Sequence, residues 1–67
     1  MNAAIEIFWD DSVSRYDNLP YSFAVSSARI AALSGGHAIV TLSGGDAFEF
    51  ISDDTLDAGY RMERVIG

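Results

Sequence analysis

The chain has no cysteine, no lysine, one proline and one histidine in 67 residues. Without cysteine there is no disulfide and no thiolate zinc site, and one histidine leaves no imidazole cluster to hold a metal. Without lysine there is no phosphate-binding loop of the G-x-x-x-x-G-K-[ST] kind, although Leu-Ser-Gly-Gly occurs twice, at 33–36 and 42–45. No apolar run approaches the ~20 residues needed to span a bilayer, and the N-terminus lacks the basic and apolar regions of a secretory signal, so a cytoplasmic protein is expected. Sixty-seven residues make one domain, 1–67. A domain of this size buries only about 60% of the surface its unfolded chain exposes, so association with another chain, including a homodimer, is the remaining route to extra stability.

Ten acidic residues face four arginines, a formal net charge of −6. Direct binding to nucleic acid or to an anionic membrane is disfavoured, because both are held largely by Lys and Arg. The expected partner is a basic protein surface; acidity also serves solubility.

The most informative stretch is His37–Ile51, two apolar runs flanking Ser43-Gly44-Gly45. Glycine takes positive φ without steric cost, so this reads as a β-hairpin. A three-residue loop at 43–45, closed by a left-handed glycine bulge, puts Ala38, Val40, Leu42, Phe48 and Phe50 on one face. His37, Ile39, Thr41, Ala47, Glu49 and Ile51 then share the other.

Earlier in the chain, Ala3–Trp9 alternates with the period of a strand, with Ile5, Ile7 and Trp9 expected inward and Glu6 and Phe8 outward. From Asp10 to Pro20 turn-forming residues dominate, predicting a loop with room for a short extended segment, pinned by Val13 and Tyr16. Pro20 suits the first turn of a long helix, but Phe23 and Val25 alternate like strand residues; with Ser26 a good N-cap and Gly35 a good left-handed C-cap, the favoured helix covers 26–34 and buries Ile30 and Leu33. Ser52–Gly59 reads as one helical turn capped by Ser52, with Asp53 and Asp54 at the positive end of its dipole. Tyr60–Ile66 is a final strand, with Tyr60 and Met62 on one side and Arg61, Glu63 and Val65 on the other. The predicted fold is α+β: a four-stranded, mostly antiparallel sheet with one helix packed on one face.

No catalytic set is present. A nucleophilic triad needs a base, and the only ordinary candidate is His37, at a strand start where a partly exposed structural histidine is the simpler reading. A carboxylate pair of the glycosidase type needs a cleft that a single layer of sheet does not offer. The chain therefore reads as non-enzymatic and free of cofactor and metal. Its outer sheet face, with Glu6, Phe8, Ile39, Glu49, Ile51, Glu63 and Val65, mixes apolar and acidic groups in the way of a protein interface, or of side chains scattered singly.

A cysteine-free acidic chain of this length, with one helix on a small antiparallel sheet and no catalytic residues, resembles small phage-encoded anti-CRISPR proteins. The resemblance covers size, charge and element order. It implies a stoichiometric inhibitor, acting in the host cytoplasm, whose carboxylates mimic DNA phosphates and block a basic channel of a CRISPR-Cas surveillance complex. The candidate contacts are Asp53, Asp54 and Asp57, clustered on one short element, then Asp10, Asp11 and Asp17 in the first loop and Glu6, Glu49 and Glu63 on the sheet. The alternative is an interaction module, an antitoxin or small subunit, that binds through the mixed outer face.

Overall fold

A computed structural model describes residues 2–66. Five strands and one helix follow the order β1 (Asn2–Trp9), β2 (Ser12–Pro20), α1 (Tyr21–Leu33), β3 (His37–Leu42), β4 (Ala47–Ser52) and β5 (Tyr60–Ile66). The strands form one sheet in the order β2-β1-β3-β4-β5, antiparallel at every neighbouring pair, with α1 across one face. The α+β class stands, but the sheet has five strands, not four.

The extra strand is β2, in the segment predicted as a loop. Asp10-Asp11 is a two-residue reversal that brings Ser12 opposite Trp9, and Asp10 takes the left-handed conformation at φ +36°. β2 is an edge strand without a dry face, so nothing forces an apolar alternation on it. Val13 and Tyr16 do not pin it by burial; they are 59% and 55% exposed.

The helix begins at Tyr21, five residues before the predicted cap, with Pro20 at the N-cap position. It ends as predicted, at Gly35 with φ +93°, where Gly35 N donates to Ala32 O and Gly36 N to Ala31 O in a Schellman arrangement. Its buried side is not the Ile30/Leu33 stripe, which is 65% and 56% exposed. Ala24, Ala28, Ala31 and Ala32 face the sheet instead. Alanines on the helix against Ala3, Ile5, Ala38, Val40 and Phe50 on the sheet let the two layers approach closely, which makes the core small-residued and dry. At the helix end the same closeness admits only glycine: a Cβ on Gly36 would lie 2.6 Å from the Trp9 ring and 2.9 Å from Phe8 O. Trp9 thus packs on Gly36 at the rim, 37% exposed, and not in the core as its parity with Ile5 and Ile7 predicts.

The hairpin of β3 and β4 has the predicted loop. Gly45 N donates to Leu42 O, Leu42 N donates to Asp46 O, and Gly45 sits at φ +98°. Val40 pairs with Phe48 and Ala38 with Phe50 on the helix side, while Ile39 pairs with Glu49 and His37 with Ile51 on the open side. Ala47, though on the open side, is buried. The segment after β4 is not a helical turn. Ser52 belongs to β4 and its Oγ donates to Ala32 O at 2.6 Å, tying the strand end to the helix end. Residues 53–59 form a loop closed by Asp53 N donating to Gly59 O. No helix among the described residues is long and apolar enough to cross a membrane.

Candidate functional site

The strand directions decide which acidic residues meet. The turn after β1, the end of α1 and the loop between β4 and β5 all lie at one end of the sheet, because each follows an element running toward that end. Asp10, Asp11, Asp53, Asp54 and Asp57 are therefore gathered there, from sequence positions more than forty residues apart. The carboxyl end of the helix macrodipole adds partial negative charge to the same end, and the last helical turn holds no basic residue to offset it.

The nine candidate acids divide by their partners. Arg15 lies 3.6 Å from Glu6 and 3.0 Å from Asp17, which sits away from the acidic end beside the β2 bulge. Glu49 Oε2 is 2.9 Å from His37 Nδ1, and Glu63 Oε1 is 3.0 Å from Arg61 Nε. Asp53 accepts from Thr55 N at 3.0 Å and from the Thr55 hydroxyl, and faces Arg61 at 3.5 Å. The Thr55 hydrogen bonds, with a smaller contribution from Arg61, hold its carboxyl below the usual aspartate range. Asp10, Asp11, Asp54 and Asp57 take no ion pair among the described residues, and all four are exposed at the acidic end. The structure sets Asp10, Asp11, Asp54 and Asp57 at the same end of the sheet and closes the sheet glutamates on partners within the chain.

At the same end is an open concavity of about 560 Å³ lined by Phe8, Asp10, Asp11, Gly36, His37 and Ile51, among others. His37 stacks on Phe8 with ring centroids 4.5 Å apart. The contact with Glu49 engages Nδ1, which leaves Nε2 for any second interaction. The serines lining the concavity are turned elsewhere: Ser12 Oγ donates to Trp9 O at 3.3 Å and Ser52 Oγ to Ala32 O. Neither hydroxyl is aligned on the imidazole, so a base is present without a nucleophile beside it. No three carboxylate or imidazole groups converge on a metal-binding point among the described residues.

The face of the sheet away from α1 is uncovered. One cross-strand row runs Arg15, Glu6, Ile39, Glu49, Glu63, and the next runs Val13, Phe8, His37, Ile51, Arg61. Phe8, Ile39 and Ile51 are half-buried there by their neighbours. A second, apolar groove of about 360 Å³ runs between α1 and β2, over Ile7, Tyr16, Leu19 and Phe23. It was invisible in the sequence because it needs both β2 and the early helix start. No family model, no curated protein and no solved structure matches this chain.

Proposed function

We propose that this chain is a non-catalytic protein ligand that sets its acidic end on a basic, nucleic-acid-binding surface of a bacterial complex and blocks it by presenting carboxylates where phosphates bind. The channel of a CRISPR effector is the target that the anti-CRISPR resemblance implies. The observation that carries the reading is the location of Asp10, Asp11, Asp54 and Asp57: the acids without an ion pair among the described residues are all at one end, beside the negative end of the helix. Carboxylates already engaged with Arg or His would have to give up those contacts before meeting a partner, whereas these four are available to Lys and Arg without rearrangement. Their test is capture of the effector complex from a bacterial lysate by the immobilised chain, at low and at raised salt. Joint Asp→Asn substitution of the four abolishes capture, raised salt weakens it steeply, and Asp17→Asn leaves it unchanged. Capture that is indifferent to the four substitutions overturns the reading.

The open sheet face supports a second reading, as an interaction module. Its acids are closed on Arg15, His37 and Arg61, so a partner could cover Phe8, Ile39 and Ile51 without stranding an unpaired carboxylate. Binding that resists salt and is lost in Ile39→Asp favours this face over the acidic end.

A further inference from the structure

The sheet has two free edges, and they are not equivalent. β2 is blunted: Asn18 sits in a bulge at φ +59° opposite Ala4, and the strand ends in Pro20. β5 keeps a regular stretch from Tyr60 to Arg64 before its own irregularity near Val65, and β4 is its only sheet neighbour among the described residues. We infer that this β5 edge joins a second copy of the chain, antiparallel about a two-fold axis at Met62, to give a continuous ten-stranded sheet.

The hydrogen-bond parity of the sheet supplies the first argument. Leu42 N donates across to Asp46 O, so the backbone groups of Ala38, Val40 and Leu42 point at β4, and their partners Phe48 and Phe50 point back at β3. Glu49 and Ile51 therefore point at β5, in step with Asp53 N donating to Gly59 O, and engage Glu63 and Arg61. Tyr60 and Met62 alternate with these and direct their N–H and C=O groups outward from the edge. An axis at Met62 makes Met62 of the two copies a hydrogen-bonded pair and sets Tyr60 opposite Arg64 of the second copy.

Charge supplies the second. In the same register Arg61 faces Glu63 of the second copy, and Glu63 faces its Arg61. Both are non-hydrogen-bonded pairs, where facing Cα atoms approach to about 4.5 Å and side chains are closest. Both side chains lie on the open sheet face, where Glu63 stands directly opposite Glu49, a like-charge pair in which Glu49 is engaged by His37 and Glu63 by an Arg61 shared with Asp53. A second Arg61 relieves that repulsion. The equivalent axis on β2, at the outward-pointing Arg15, would set the Arg15 side chains of the two copies against each other, like charge facing like charge. Antiparallel pairing also sends the two acidic ends to opposite ends of the enlarged sheet, so the net charge of −6 on each copy does not oppose it at close range. Met62, 55% exposed in the single chain, is covered by its counterpart on the helix side.

A five-residue edge is a small interface, so the dimer is weak and depends on concentration. Sedimentation equilibrium of the full chain from about 10 µM to about 1 mM tests it, with a mass rising from 7.2 kDa toward twice that value. Met62→Pro removes an outward N–H while leaving the β4 ladder intact, and abolishes the rise with an unchanged circular-dichroism spectrum. Glu63→Arg alone and Arg61→Glu alone are each monomeric, whereas an equimolar mixture of the two dimerises, because only the mixed pair sets opposite charges across both contacts. A wild-type mass that stays at 7.2 kDa overturns the inference, and so does a dimer indifferent to Met62→Pro or a mixture that remains monomeric.

Discussion

The two faces of the sheet are built on different principles. The covered face is dry and holds α1 through alanines, with Phe50, Ile5 and Val40 the largest side chains fully buried. The open face carries the Arg15–Glu6 and Arg61–Glu63 ion pairs and the His37–Glu49 contact around half-buried Phe8, Ile39 and Ile51. On the first, stability comes from shape, since the layers are close enough that one added methylene matters. On the second it comes in small, partly screened amounts, since the pairs are exposed to solvent. The covered face is thus the part of the molecule that cannot change, and the open face, edge and acidic end are the parts that can meet a partner.

Substitutions separate the two. Phe50→Ala, in the centre of the covered face, is expected to cost about 3–5 kcal/mol, enough to unfold much of so small a domain at 25 °C, read as the midpoint of urea denaturation. Ala28→Leu adds bulk where the helix touches the sheet and costs about 1–3 kcal/mol by the same measurement. Ile30→Ser, two positions further along the same helix but facing solvent, changes stability by no more than about 0.5 kcal/mol, although the sequence places Ile30 in the core. An Ala28→Leu variant as stable as wild type would mean that the helix does not approach the sheet as described.

The smallest effect belongs to the acidic loop and depends on pH. Asp53 has a folded-state carboxyl value lowered by its Thr55 hydrogen bonds, so its contribution is present above the ordinary aspartate range, about pH 4, and is lost as pH falls through the folded value. Asp53→Asn therefore narrows the stability difference between neutral and acid conditions. Thermal melts of both proteins at about pH 7 and pH 3 measure that narrowing, and identical differences would exclude it.

Much of this architecture was legible in the residues. The hairpin loop followed from Gly45, and its length fixed which of Val40, Phe48, Ile39 and Glu49 face the helix. Gly35 marked the helix end, and β5 has the predicted limits. β2 was not legible, because an edge strand that α1 covers only in part, at Leu19, can be as polar as a loop. The helix start was misplaced because Phe23 and Val25 mimic strand alternation. Its buried face was misplaced because the bulkiest apolar residues were expected inside, whereas a close helix–sheet approach selects the smallest.

The candidate site divides in the same way. The sequence alone established an acidic, cysteine-free chain without lysine, the charge balance on which the proposal of a basic partner rests. It could not say which acids are available, because pairing is set by which strands lie side by side. Only the tertiary structure brought Arg15 to Glu6 and His37 to Glu49, left Asp10, Asp11, Asp54 and Asp57 together at one end, and turned the outward groups of Met62 to a free edge. Local residue chemistry acts through turns, caps and alternation over a few positions, whereas charge pairing and edges depend on contacts between segments distant in the chain.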